Sequence, residues 1–377
     1  MSESSLPAVL HINTEKTWRG GESQVFYLVT GLKAAGYRLC VAAQPGGVLD
    51  ERCREAGIDV FPVKMAADLD IGAASRIARF AKERAFDILH AHTARAHAIG
   101  IIARHLGAPG RLVVARRLDF PVKPGLASRL KYRSSKVDLY LAVADVIRRI
   151  LVGAGVPSER VKVVNSCIDL ARFEEARAGR AALREEVRRE LGLPADSVIV
   201  GNIAALADHK SQIDLVAAAP AVFERFPEAH VVIAGEGKSR PIVEERIRSL
   251  GLADRVHLLG FRKDVPRLLA AFDLFAMSSK LEGFCNSVLE AFAMDLPVAS
   301  TQAGGLPEMV FHEKTGLLTP VGDPKALAAA ITRLLEEPDL ARRLAAAGRE
   351  LVASQYTVQK MVERTRAAYR DLAGSPA

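Results

Sequence analysis

Short apolar runs alternating with longer amphipathic stretches, with glycine or a polar turn between them, dominate this chain and restrict what it can fold into. Residues 8–13 read as a buried strand, Thr17-Trp18-Arg19-Gly20-Gly21 as a loop, and residues 22–35 as a helix closed by Gly36. The unit recurs, with strands at 38–43, 59–63, 88–92, 112–115, 139–143 and 161–164 and helices at 48–56, 71–84, 94–105, 126–134 and 144–154. Strands of about five residues between helices of about twelve predict a parallel sheet covered on both faces. The apolar pattern weakens over the charged residues 172–190, where a domain boundary is expected. It resumes with strands at 198–204, 230–234, 256–259, 274–277 and 298–300 and helices at 213–226, 241–250 and 265–271, then three terminal helices at 324–336, 338–353 and 357–372. Two doubly wound α/β domains in tandem follow, with a ligand cleft expected between the carboxyl ends of their sheets.

Bulk properties agree with that division. A length of 377 residues exceeds what a single core usually serves. Hydrophobic residues at 49% and charged residues at 25% are ordinary for a soluble globular chain. Cys40, Cys53, Cys167 and Cys285 are scattered without CxxC spacing, so neither a zinc site nor a disulfide scaffold is expected and a reducing cytoplasm fits. The start of the chain lacks a basic segment followed by an apolar run, and nowhere do eighteen uncharged apolar residues follow one another, so secretion and membrane spanning are not expected. The net charge of +8 concentrates at Arg111, Arg116, Arg117, Lys123, Arg129, Lys131, Arg133 and Lys136, opposed within that run only by Asp119. Such a run favours phosphates, anionic lipid headgroups or nucleic acid, unless it is simply a solvated face.

The stretch richest in chemistry is Glu282-Gly283-Phe284-Cys285-Asn286-Ser287-Val288-Leu289-Glu290. Gly283 lets a ligand approach the backbone, and the free amides of residues 284–287 at a helix N-terminus suit an anion such as a diphosphate. Glu282 precedes the helix and Glu290 sits one turn inside it, so the two carboxylates reach opposite ends of one ligand. Ser287-x-x-Glu290 is equally a capping-box pattern that needs no ligand.

Ala291-Phe292-Ala293-Met294-Asp295-Leu296-Pro297-Val298, Gly304-Gly305-Leu306-Pro307-Glu308 and His312-Glu313-Lys314-Thr315-Gly316 follow this stretch. Val164-Asn165-Ser166-Cys167-Ile168-Asp169, Ala234-Gly235-Glu236-Gly237 and Gly20-Gly21 precede it. Together these runs resemble glycosyltransferase family 4 over nearly the whole chain. The resemblance implies the GT-B fold, two Rossmann-like domains with a cleft between them, and a final helix returning to the first. The expected domains are then residues 1–170 with 356–377 for the acceptor, and residues 171–355 for the donor. It further implies a nucleoside-diphosphate sugar donor, retention of anomeric configuration, and no required metal or cofactor.

Carried over by the resemblance, Glu282 lies near the donor sugar, Glu290 on the ribose, and the amides of Phe284, Cys285, Asn286 and Ser287 on the diphosphate. Lys210 matches the family's phosphate lysine, but Ala204-Ala205 stands where the family usually has Gly-Arg. His209, Lys238 and Arg240 are candidates to supply the missing cation. His92 matches a histidine beside the transferred sugar. His90 and His92 share one strand face, yet no carboxylate or cysteine at ligand spacing accompanies them, so a metal pair is weakly supported against a satisfied core histidine. Gly20 and Gly21 would open a helix N-terminus to the donor, a plain tight turn being the alternative. Gly235-x-Gly237 lacks the third glycine of a dinucleotide fingerprint and reads as a turn lining the donor pocket, with Phe261 and Arg262 near the base through backbone contacts.

Arg116 and Arg117, at a strand end in the basic run, are expected to grip an anionic acceptor. The mixed basic and apolar residues 126–134 suit peripheral contact with an anionic leaflet. The favoured function is sugar transfer to a glycan or lipid-linked acceptor of the cell envelope, such as lipopolysaccharide, by a cytoplasmic enzyme with no nucleic-acid partner. A nucleotide-sugar 2-epimerase shares the architecture, and a non-catalytic polyanion- or lipid-binding protein would use the basic face but leave the spacing of Lys210, Glu282 and Glu290 unexplained.

Overall fold

The computed structural model describes residues 6–122 and 125–373. The first five residues, Lys123 of the basic run and the last four residues of the expected acceptor domain lie outside them. The chain divides between Cys167 and Ile168 and again between Thr357 and Val358, so that the last helix belongs with the first unit.

In the first unit the strands are β1 (Val9–Ile12), β2 (Leu39–Ala43), β3 (Val60–Pro62), β4 (Ile88–Ala91), β5 (Arg111–Arg116), β6 (Leu139–Ala142) and β7 (Val161–Val163). The helices between them are α1 (Gly20–Ala34), α2 (Val48–Glu55), α3 (Ile71–Glu83), α4 (Ala94–His105), α5 (Leu126–Tyr132) and α6 (Asp145–Gly153). All neighbours pair in parallel, in the order β3-β2-β1-β4-β5-β6-β7. Every residue of β1, β2, β4 and β6 is buried, as strands covered on both faces must be. The strand order reverses direction between β1 and β4, which makes their carboxyl ends the switch point where ligands of such sheets bind.

The second unit has β8 (Val198–Ile203), β9 (Ala229–Ala234), β10 (Val256–Leu258), β11 (Leu274–Met277), β12 (Val298–Thr301) and β13 (Leu317–Thr319). Its helices are α7 (Ala171–Ala178), α8 (Arg180–Glu190), α9 (Gln212–Arg225), α10 (Arg240–Ser249), α11 (Val265–Ala271), α12 (Asn286–Ala293), α13 (Pro324–Glu336) and α14 (Pro338–Gln355). The order β10-β9-β8-β11-β12-β13 puts this switch point between β8 and β11. The remaining helix, α15 (Val358–Ala373), packs on α1 of the first unit. Gly31 permits that contact, since a Cβ there would lie 2.4 Å from Val362 Cγ2.

Three local readings change. Gly20 and Gly21 are the first residues of α1, with Arg19 at the cap, rather than a loop ahead of the helix. The charged residues 172–190 fold into α7 and α8 against α11. Their apolar signal is weak because arginines do part of the docking. Arg180 donates to the carbonyls of Ala270, Phe272 and Met294, and Arg188 to that of Ser197 and to Asp273. Arg180 thereby places a positive charge at the carboxyl ends of α11 and α12, where the helix dipole favours it. The edge strand β13 has no counterpart among the expected strands.

Candidate active site

At the switch point of the second unit, the loop after β8 and the loop after β11 meet. Lys280 and Leu281 donate their amides to the His209 carbonyl at 2.7 and 3.3 Å, and Ser278 Oγ donates to the Lys210 carbonyl at 3.2 Å. These bonds fix Lys210 beside Glu282, and the two side chains form an ion pair. Only 16% of the lysine side chain and 8% of the glutamate side chain are exposed, so the pair is largely withdrawn from water. Glu282 also accepts from Ser279 Oγ at 3.3 Å, while its carbonyl takes the Gly305 amide at 2.7 Å. Ser211, next after Lys210, holds a left-handed φ of 46°, a conformation that costs on the order of 1 kcal/mol outside glycine.

α12 starts four residues beyond Glu282, with Cys285 at its cap. Among the described residues, the amides of Gly283, Phe284, Cys285, Asn286 and Ser287 have no hydrogen-bond acceptor in the protein. They are the orphan donors of a helix start, and the dipole there favours an anion. The cap supplies no carboxylate of its own. Burial, with the charge of Glu282 beside it, pushes the Cys285 thiol up to about 11, so it stays neutral. Asn286 Oδ1 is buried without a donor. Glu290 is half-buried one turn into α12, and burial raises its carboxyl to about 7 against the nearby charge of Arg172. The helix is clamped in place by its apolar face and by Gly348 of α14, where a Cβ would lie 2.3 Å from Phe292.

Gly235 and Gly237 have φ of +151° and +158°. A Cβ on them would meet the carbonyls of Ala204 and Leu206 at 1.9 and 2.1 Å. These glycines therefore let the turn after β9 press on the loop after β8 that leads to Lys210. Of the three candidates to replace the cation absent at Ala205, His209 is half-buried in the same loop as Lys210, and Arg240 is committed to Glu236 and Glu244, each at 2.8 Å. Lys238 is exposed and forms no ion pair among the described residues. Arg262 is likewise taken up, by Asp264 and Glu190, and its pKa is raised by them. The Phe261 ring is 62% exposed.

The first unit has its own polar cluster at the β1–β4 switch point. His11 stands opposite His90 in the parallel register, and its Nδ1 lies 2.9 Å from His92 Nε2. His90 Nδ1 is 2.7 Å from the Tyr369 hydroxyl of α15. His11 Nε2, His90 Nε2 and His92 Nδ1 are buried without partners. Burial lowers His11 to about 3 and holds His90 and His92 well below the usual histidine range, the Arg117 charge adding to the effect at the latter two. The trio is neutral at physiological pH. One potential ligand atom from each lies within 4.8 Å of the others, close enough to enclose a metal ion. His11 went unnoticed in the sequence because its partnership depends on the register of β1 with β4.

The two arginines of the acceptor expectation differ. Arg116 donates to the carbonyls of Leu118 and Phe120 and lies 5.0 Å over the Tyr132 ring, which organises the loop after β5. Arg117 is half-buried, its Nε enclosed without an acceptor, and it forms no ion pair among the described residues. Burial lowers its pKa to about 10, opposed by Glu22, so it remains charged. Glu22 is itself buried at the start of α1, accepting from Asn13 and the Arg19 amide. Beside Gly21 a Cβ would meet nothing within 4 Å, so no protein contact requires glycine there and the helix start is left bare.

The basic run is less open than its sequence suggests. Arg111 pairs with Asp138 at 2.9 Å, beyond the run, and Lys131 and Arg133 donate to the carbonyls of Ala94 and Ala154. α5 buries none of its residues, with Leu126 and Leu130 exposed alongside Arg129, and Leu118 is exposed in the loop after β5. No helix among the described residues is long and apolar enough to cross a membrane.

Residues 18–172 match the family model described as Glycosyltransferase Family 4, and residues 184–351 match that described as Glycosyl transferases group 1. The N-acetyl-alpha-D-glucosaminyl L-malate synthase of Bacillus anthracis is 26% identical over 324 residues, covering 84% of this chain and 83% of its own. The lipopolysaccharide core biosynthesis glycosyltransferase LpsE of Rhizobium meliloti is 30% identical over 176 residues, 47% of this chain and 51% of its own. Among solved structures, Anabaena Alr3699/HepE in complex with UDP and glucose superposes with a TM-score of 0.83 at 23% identity, covering 97% of this chain and 100% of that one.

Proposed function

The chain is a glycosyltransferase of GT-B fold, a family 4 domain followed by a group 1 domain, and we propose that its donor is a nucleoside-diphosphate sugar. The observation that carries this reading is the Lys210–Glu282 pair beside the uncapped amides at the start of α12. In this reading the diphosphate lies on the amides of residues 284–287 and takes Lys210 as its cation. Breaking the sugar–phosphate bond leaves charge on the departing diphosphate, so fixed donors there bind the transition state more tightly than the ground state. Glu282, released from Lys210, is then free to accept hydroxyls of the sugar, and Glu290 those of the ribose. The UDP and UDP-glucose bound by the Anabaena protein favour this donor class. Retention of configuration rests on the family resemblance. Lysine and backbone amides supply the positive potential that a metal would otherwise bring, so no metal is required.

The acceptor is proposed to be an anionic envelope glycan or lipid-linked sugar. Arg117 supports this, because an enclosed guanidinium without a carboxylate partner is stabilised by an anion. The exposed leucines around Arg129 suit peripheral contact with the inner leaflet. The test is incubation with a panel of nucleotide sugars, with and without envelope glycolipid extracts, following released nucleoside diphosphate and product anomers by NMR. Acceptor-dependent transfer with retention is expected. Epimerised donor in the absence of acceptor, or no turnover of any donor, would overturn the reading.

A further inference from the structure

We propose that a cationic groove in the first unit, outside the residues assigned above, binds a phosphate group, and, resting on the glycosyltransferase reading, that this phosphate belongs to the acceptor. The groove encloses about 390 Å³, the volume of a small headgroup. Lys16 and Arg19 line it from the loop after β1, Lys64 from the loop after β3, and Arg95 from the first turn of α4. The loop after β1 and the first turn of α4 flank the β1–β4 switch point, where a doubly wound sheet receives its ligand, and the loop after β3 reaches them from the edge strand of the sheet.

Charge and rigidity separate this groove from an ordinary solvated face. Lys16, Arg19 and Lys64 form no ion pair among the described residues, and Glu15 is the only carboxylate in the lining. Arg95 Nε lies 3.4 Å from Asp68 but is buried without a hydrogen-bond acceptor. Like charges converging on one concavity repel each other unless an anion joins them. The backbone that carries them is pinned from below. The buried Gln44 amide donates to the carbonyls of Thr14 and Met65 at 3.1 and 2.6 Å, tying the β1 loop to the β3 loop. Val48 donates to the Lys16 carbonyl at 3.1 Å, and the Thr14 and Thr93 hydroxyls are 2.7 Å apart. Cations on a fixed frame, with the hydroxyl of Thr17 beside them, match the three acceptor oxygens of a phosphate.

The full chain is titrated by calorimetry with glycerol 3-phosphate and, separately, with phosphatidylglycerol or phosphatidylcholine vesicles. Lys16→Ala/Lys64→Ala and Lys210→Ala are compared with the parent, with thermal midpoints confirming folding. Loss of two charge-assisted bonds is expected to weaken binding at least about tenfold in the first variant while its affinity for a nucleoside diphosphate is kept. The Lys210 variant should show the converse. Weakening toward glycerol 3-phosphate identifies a soluble phosphate monoester, and weakening toward phosphatidylglycerol vesicles alone identifies a lipid headgroup. Lys16→Arg/Lys64→Arg should restore either one. Unchanged affinity for both probes in the lysine double variant overturns the proposal. A parent chain that binds no nucleoside diphosphate but shows this phosphate dependence would instead sink the donor reading and leave the groove standing.

Discussion

Lys210 and Glu282 are 72 residues apart in the chain and form an ion pair at the switch point of the second sheet. Neither is surplus to the other: an unpaired charge enclosed there would be costly, and the bond is one that an arriving phosphate can exchange for its own. Lys210→Ala should lower kcat by about 10² to 10³, as removal of a single transition-state donor does. Glu282→Gln leaves Lys210 available to phosphate, so nucleoside diphosphate affinity should hold or rise while kcat falls. Calorimetry with steady-state rates separates the two; a loss of nucleoside diphosphate affinity in Glu282→Gln would refute the exchange.

The buried carboxyl of Glu290 gives the fold, and the proposed donor site, a pH dependence. Between its unfolded value of 4.5 and its folded value of about 7, the folded chain holds a proton that the unfolded chain has released. Its contribution to stability is therefore full below pH 4.5 and is lost as pH rises through 7. Glu290→Gln should raise the thermal midpoint relative to the parent, and the gap should widen from pH 6 to pH 8. Donor affinity should run the other way in the proposed reading, in which the ionised carboxylate accepts from the ribose hydroxyls. It should fall roughly fivefold from pH 7 to pH 6 in the parent and stay flat, though weaker, in Glu290→Gln.

Much of this was legible in the chain. Strands buried on both faces read as unbroken apolar runs, which is why β1, β2, β4 and β11 stand out. The stretch from Glu282 to Glu290 was visible because its polar turn meets an apolar helix. What depends on partners far along the chain was not. Arg111 finds Asp138, Arg240 is held by two glutamates, and His11 meets His92 only after β1 pairs with β4. The helices α7 and α8 were obscured because arginine-to-carbonyl bonds replace part of an apolar face. β13 is a three-residue edge strand, too short to establish a period.

Arg116 and Arg117 should separate on substitution. Arg117→Ala removes a guanidinium that has no ion pair among the described residues and whose Nε is enclosed without an acceptor, and should raise acceptor KM at least about tenfold with donor affinity unchanged. Arg116→Ala removes two bonds to the loop carbonyls and should instead lower the thermal midpoint. Initial rates at varied acceptor, beside thermal melts, check both. Equal KM effects without loss of stability in Arg116→Ala would mean that it also meets the acceptor.

The histidine trio can be asked whether it holds a metal or serves as a neutral hydrogen-bonded cluster. Its imidazoles are uncharged and three ring nitrogens are unpartnered, which suits a ligand set. Against this, Arg117 contributes a positive charge that already disfavours a second cation, and the closest ring nitrogens, those of His11 and His92, are at hydrogen-bonding distance. A bond from one to the other fixes the His92 tautomer and leaves its Nδ1 as the nitrogen without a protein partner. The expected outcome is that EDTA leaves transfer unchanged and that the purified chain carries no stoichiometric zinc by elemental analysis. His11→Ala should then lower kcat about tenfold or more with little change in donor KM, because His92 loses the partner that orients it, while His11→Gln, which keeps a hydrogen-bonding side chain, should recover part of the loss. Rates abolished by EDTA and restored by zinc, in the parent but not in His11→Ala, would establish the metal instead.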